Sequence, residues 1–465
     1  MQVLVALADA RGTVLSREDL LRLCWDGRIV GDDAINRAIA EVRRIAATVG
    51  ARLEVETVPR IGYRLIGIDW ARQSEPPEAA ASTHRRIDRR KLVAGGIAAF
   101  ALLGGGGAAV VLERRTSEID DLIERGRLLR GADLARNDQN AEALFRQATA
   151  RDPDRADAWG WLASVLDNEA AAREAAQRAL GLDPREPNAR VVLAHQRRDL
   201  DSWTEWEDAL LGVLADAPDN GSALTHLTMF YQGMGRCKDS WSANERAIRV
   251  EPFNPAHQHR RALKHWIFGR IGEADRVADQ SIRLWPRHST VWNARMLIYA
   301  CTDRAPAALA LLDDVASRPV NLKAPSIASW RTALTAIASR SERDIARAVE
   351  VGEATAGLAP GLAANAIMLF SHLGQLDAAY RVADGLFAGR GTVVQRVRGK
   401  GIRDVYSDPA WGRSQFLFIP ATASFRADAR FPDLCQRMGH VLYWRARGIW
   451  PDPFVRGALD PLKLA

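Results

Sequence analysis

AEALFRQATARDPDRADAWGWLA, residues 141–163, is the stretch from which the fold can be read. Ala141, Phe145 and Ala148 put small, aromatic and small side chains on one face of a helix, and Pro153 cannot continue it. Trp159, Leu162 and Ala163 then open the next apolar face. The same punctuation recurs outward. Pro153, Pro184, Pro218, Pro252 and Pro286 are 31, 34, 34 and 34 residues apart, and Pro325 and Pro360 extend the series at 39 and 35. Tyr231 with Gly235, and Trp292 with Tyr299, repeat fragments of the pattern. Such a period marks stacked helix pairs, none of which can bury its apolar face alone.

The pattern resembles the tetratricopeptide repeat over about residues 118–390, although Trp206 stands where that repeat normally needs Ala and the copies from 300 onward are looser. The resemblance implies a mostly α protein with an α-solenoid over residues 116–420, whose concave surface holds a peptide or protein partner. Twelve of the fourteen Trp lie beyond residue 112 and are expected to fill helix–helix contacts. Residues 421–465 carry Phe425, Phe431, Leu434, Met438, Val441 and Leu442, then Tyr443-Trp444-Arg445 and Trp450-Pro451. This segment is similar to tails that close related repeat proteins, and is expected to seal the last repeat.

Composition narrows the function classes. The 465 residues are 47% hydrophobic and 26% charged, which excludes wholesale disorder or a collagen-like fibre. A net charge of +7 gives no global pull toward nucleic acid, so any such contact must be local. Cys24, Cys237, Cys301 and Cys435 are too few for a disulfide-built scaffold. No GxxxxGK-S/T, HExxH, GxSxG or EF-hand pattern occurs, so neither an enzyme nor a cofactor is expected. His257, His259 and His265 are close in sequence but not at metal-ligand spacing, and no metal site is expected.

Leu92–Leu112 is a 21-residue run without charge, polar side chain or proline. At ~1.5 Å per residue it would span about 31 Å as a helix, which predicts one transmembrane segment. The flanking HRRIDRRK at 84–91 is basic, so the N-terminal part is expected in the cytoplasm and the repeats in the periplasm of a bacterial inner membrane. The run starts too late for a cleaved signal peptide and reads as an uncleaved anchor. Small residues four apart, such as Gly95 and Ala99, would let two copies approach, so a homodimer is among the expected partners.

Residues 1–70 read as three helices followed by a hairpin. Ser16 is an N-cap with Asp19 three residues on, a shortened relative of the capping box. A third helix runs from Asp32-Asp33 to Gly50, with Ile35, Ala38, Ile39, Val42 and Ile45 as its apolar stripe. Leu53–Val58 alternates as a strand and Tyr63–Ile66 returns. VLSREDLLRLCWDGRIVGDDAINRAIAEVRRI (14–45) with VETVPRIGYRL (55–65) resembles the OmpR/PhoB-type winged-helix DNA-binding domain, of the membrane-anchored CadC/ToxR-like kind. That family inserts its third helix in the major groove of double-stranded DNA and touches the neighbouring backbone with the wing. The resemblance therefore implies Asn36, Arg37, Ala40 and Arg44 at base edges or phosphates, and Arg60 and Arg64 on the wing. Arg can bond a guanine edge bidentately and Asn an adenine edge. The family domain opens with a short sheet, whereas this chain begins inside the first helix, and a start upstream is expected.

The resulting organisation is a winged helix at 1–70, a basic linker at 71–91, a span at 92–112, repeats at 116–420 and a cap at 421–465. Two functions fit it. One is a membrane-anchored one-component transcription regulator that senses a ligand or partner through its repeats. The other is a membrane-anchored assembly scaffold with a vestigial winged helix, favoured by the ten Arg and ten Asp or Glu that cancel within residues 1–70.

Overall fold

The computed structural model describes residues 3, 6–7, 10, 13–16, 18–20, 39–40, 42–43, 54–58, 62–66, 118–127, 129, 135–196, 203–252, 254–391, 394, 404–408, 411 and 413–464. The chain divides into two compact units, residues 1–100 and 101–465.

The first unit holds a small antiparallel sheet of β1 (Leu15–Ser16), β2 (Glu54–Val58) and β3 (Gly62–Ile66), in the order β1-β3-β2. Alternation sets its inner face: Val55, Tyr63 and Leu65 are buried and pack with Val3, Leu7, Leu20, Ile39 and Val42 from helical stretches. Ser16, the N-cap read from the sequence, and Leu15 before it pair with Gly62 and Tyr63. Ser16 serves both structures. Its Oγ accepts from the Asp19 amide (3.0 Å), and the Asp19 carboxylate accepts from the Ser16 amide (3.2 Å), a reciprocal capping box. Gly62 is dictated by the close approach of β1, since a Cβ there would lie 1.9 Å from the Leu15 carbonyl oxygen.

The second unit is a helical solenoid. Helical residues 118–127 precede α1 (Ala135–Arg151). Hairpins follow: α2 (Ala156–Val165) with α3 (Glu169–Leu182), α4 (Pro187–Gln196) with α5 (Trp203–Asp216), and α6 (Gly221–Gly233) with α7 (Cys237–Val250). Next come α8 (Pro255–Ile267) with α9 (Ile271–Leu284), α10 (Ser289–Ala300) with α11 (Ala305–Asp313), α12 (Ala324–Ser339) with α13 (Glu342–Ala356), and α14 (Pro360–His372) with α15 (Leu376–Ala388). First helices of successive pairs pack on one another, α2 on α4, α8 on α10 and α12 on α14. Ala141, Phe145 and Ala148 are fully buried, and Phe145 stacks on Trp161 at 6.0 Å. Pro184, Pro218, Pro252 and Pro286 each stand two residues beyond the end of a second helix, the place for a residue that cannot continue it. Pro325 and Pro360 differ: they sit in the first turns of α12 and α14, where a missing N–H costs nothing. Hence the spacing of 39, which marks a helix start and not another helix stop.

The tail does more than close the last repeat. A 3-10 turn at Ser414–Phe418 leads to α16 (Ala423–Ala427), α17 (Phe431–Arg437) and α18 (His440–Arg447). Near the array's end, Tyr380 of α15 stacks on Phe425 at 4.1 Å and donates to its carbonyl (2.9 Å). From there the segment reaches back. Trp444 Nε1 donates to Met234 O (3.0 Å), Trp203 Nε1 to Met438 O (2.8 Å), and Gln232 to Phe418 O (3.0 Å). Tyr406 accepts from Trp330 and donates to Asn293 (both 2.8 Å), tying α12 to α10. One continuous core therefore runs from Val191 to Leu459.

The inner-membrane placement requires correction. Among the described residues no helix is long and apolar enough to cross a membrane, and Leu92–Leu112, on which the expected span rested, lies outside the described residues. The physical weakness of that expectation is compositional: six of its 21 residues are Gly, four of them consecutive, and each costs about 1 kcal/mol against Ala in a helix.

Candidate nucleic-acid interface

The helix carrying the expected reading face shows its polarity at residues 39–43. Ile39 and Val42 are buried while Ala40 and Arg43 are exposed, so Ala40 faces away from the core as the apolar stripe requires. Arg43 was not among the expected site residues. Its guanidinium donates to the Val55 carbonyl (Nε 3.1 Å, Nη2 2.8 Å) and to Thr57 Oγ1 (2.7 Å), fixing this helix against β2. Nothing local in the sequence separates Arg43 from Arg44. Only the strand 12 residues on makes it a clamp.

On the wing, β2 and β3 place Glu56 directly opposite Arg64, and the two form a half-exposed ion pair at 2.6 Å. A cross-strand pair of this kind orders the hairpin and leaves the Arg64 charge partly neutralised. Ala40 and Arg64 are thus both placed in the first unit. Asn36, Arg37, Arg44 and Arg60 lie outside the described residues.

In the second unit the three histidines singled out in the sequence meet structural partners. His257 pairs with Glu251 (3.1 Å), His259 Nδ1 with Thr290 (3.0 Å), and His265 meets the Trp241 ring at 4.9 Å. Among the described residues no cluster of three or more His, Cys, Asp or Glu side chains could hold a metal. Cys237 and Cys435 are buried and free, and burial pushes the Cys237 thiol up to about 11, which suppresses the thiolate. An open groove of about 650 Å³ is lined by Arg127, Asp157, Trp161, Glu186, Asn188 and Asn220, among others. Within it Glu186 is 2% exposed. It accepts from the Ala189 amide (2.6 Å) and Asn188 (3.2 Å), and burial pushes its carboxyl up to about 7.

Residues 1–65 match the family described as transcriptional regulatory protein, C terminal. The N-terminus of this chain thus carries an OmpR/PhoB-type DNA-binding segment. Within this regulator-type segment, the reciprocal Ser16–Asp19 cap, the Gly62 close approach and the Glu56–Arg64 pair lie inside the matched region or complete its last strand.

Solved structures similar to this chain include tetratricopeptide repeat proteins. One is a tetratricopeptide repeat protein from Parabacteroides merdae, 14% identical, covering 51% of this chain and 92% of that one at a TM-score of 0.34. Yeast Tom70 is 14% identical over 69% of this chain and 67% of its own, also at 0.34. A thermophilic repeat protein from Thermus thermophilus is 20% identical over 47% and 98%, at 0.23. No curated protein matches the chain.

Proposed function

We propose that the chain is a transcription regulator that binds double-stranded DNA through its N-terminal unit, about residues 1–70, and takes its instruction through a protein or peptide bound by the repeat unit. The observation that carries this reading is the match of residues 1–65 to a DNA-binding regulator family. In this reading Asn36, Arg37, Ala40 and Arg44 meet the major groove, and Arg60 and Arg64 meet the backbone beside it. Arg64 exchanges Glu56 for phosphate on binding, and Arg43 stays with β2 as a positioning group. Two copies on adjacent half-sites would gain affinity by effective concentration, so partner-driven pairing is a sufficient switch.

The zero net charge of residues 1–70 favours a second reading, in which the repeats act as an assembly scaffold and the DNA-binding segment is inactive. Chromosome occupancy of the tagged full chain separates the two. Discrete peaks that vanish with Arg37→Ala are expected for the regulator. A flat profile at normal protein abundance, unchanged by Arg37→Ala and by every growth condition tried, would leave the scaffold.

A further inference from the structure

The repeat unit buries cations that have no carboxylate. Lys264 is 3% exposed, and its ammonium makes one hydrogen bond, to Gln232 Oε1 (2.7 Å). An ammonium has three donors, so two are unspent. Arg260 lies one turn earlier on the same face of α8. It donates from Nη1 to the Ala256 carbonyl (2.9 Å) and from Nη2 only to the weak acceptor Met229 Sδ (3.3 Å). Among the described residues neither forms an ion pair with an acid.

The carbonyls that Gln232 and Arg426 reach bond to those groups and not to Lys264. Phe418 O accepts from Gln232, and the Leu417 and Ile419 carbonyls both accept from the buried Arg426 (2.7 Å each). Asp452 pairs with Lys238 instead, accepting its amide at 3.0 Å. The groups whose charges bear on Lys264 are Cys237, an almost wholly un-ionised thiol, and Arg260, a like charge. Burial above all, with the like charge of Arg260 adding to it, pushes the Lys264 ammonium down to about 7, and burial lowers Arg260 as well. Removing two adjacent charges from water without a counter-charge is costly unless something supplies one. Arg260, unlike Lys264, keeps part of its residue surface in solvent.

We propose that Arg260 and Lys264, with Gln232 holding the ammonium from behind, form a binding site for a small oxyanion, the carboxylate or phosphate group of a soluble ligand. A planar guanidinium beside a point charge suits either oxyanion, the Arg through paired N–H donors and the Lys as the neutralising charge. The inference stands apart from the DNA-binding reading and does not need it.

The test titrates the full chain with sodium phosphate and, separately, sodium acetate against sodium chloride at constant ionic strength, by calorimetry and by thermal melting. Saturable binding of at least one oxyanion is expected, weakened at least tenfold by Lys264→Met and by Arg260→Gln. Phosphate also stabilises proteins by general exclusion from their surface, but that effect does not saturate and both variants retain it. Saturation with phosphate alone assigns the site to phosphate esters, and saturation with acetate assigns it to carboxylates. The proposal falls if neither oxyanion saturates, or if both variants, folded by circular dichroism, bind as the parent does. Lys264→Met melting higher than the parent in every buffer, with identical anion dependence, would mark the lysine as an uncompensated burial and overturn the site too.

Discussion

The two units solve the burial of charge on different scales. In the N-terminal unit eight buried apolar side chains make the described core, and the two described arginines stay at its edge, where Arg43 donates to the Val55 carbonyl and the Thr57 hydroxyl and Arg64 meets Glu56. In the repeat unit the core is long enough to take ions inside. Arg236, Glu207 and Tyr443 form a closed cluster, with Arg236 donating to Glu207 (2.7 Å) and to the Tyr443 hydroxyl (2.6 Å), and Tyr443 donating to Glu207 (3.0 Å). Small domains bury a smaller fraction of their surface and have little stability to spare. Each apolar residue of the first unit therefore weighs more, and each buried ion of the second can be tolerated if paired.

The sharpest way to break this comparison is to remove residues 404–464. The core then loses Phe418, Phe425, Phe431, Tyr443 and Trp444, all fully or nearly fully buried. At about 1.5–3 kcal/mol each, their sum is comparable with the whole ~5–15 kcal/mol stability of a typical domain. Loss of the cooperative melt of the repeat unit, with dye binding to exposed apolar surface, is the expected outcome, while near-native DNA affinity is retained by the N-terminal unit. An intact melt would show that the repeats stand without their tail.

Next in size is Glu207→Ala, which removes the nearly buried carboxylate shared by Arg236 and Arg447 and leaves Arg236 with the half-exposed Asp239 alone. Breaking one partner of such a pair costs about 3–5 kcal/mol, and denaturant unfolding of the repeat unit should register it. Leu65→Ala probes the other side. A cost of about 2–4 kcal/mol in so small a core should abolish DNA binding in a mobility-shift assay and leave the repeat melt unmoved. A repeat melt that shifted with it would break the separation of the two units.

Smaller again is Glu186→Gln. Its folded carboxyl holds a proton up to about 7, against an ordinary value near 4.5. Between those values the folded state binds more protons than the unfolded one. The stability this confers is fully present below the lower value and is lost as pH rises through the upper one. The neutral amide removes that slope. The variant should match the parent at pH 4 and exceed it at pH 8, by up to about 3 kcal/mol. Parallel melting curves of parent and variant from pH 4 to 8 would refute it.

What sequence reveals and hides follows the range of the interaction. Ala141, Phe145 and Ala148 announce their helix face because the contact partner lies one turn or one hairpin away. The same holds for Ser16 with Asp19, and for the alternation of Val55, Tyr63 and Leu65. Periodicity says which face is apolar but not what covers it, so the path of the tail back to Met234 and Trp203 was not legible. Arg43 failed for the same reason, its partner being set by the meeting of a helix and a strand. The 92–112 run, on which the inner-membrane placement rested, lies outside the described residues, where no face or contact can be compared with its hydropathy. Of the expected DNA-facing residues, Ala40 followed from its stripe, while the pairing of Arg64 with Glu56 needed only the hairpin register.

The hydrogen bond from Trp444 to Met234 joins residues 210 apart. An open repeat array can fold one unit after another as it leaves the ribosome. Here the helices of the middle repeats emerge long before the side chains that cover them, and their apolar faces must wait, exposed, until translation has passed residue 444. Exposed apolar surface of that kind is what makes partly folded chains prone to aggregate.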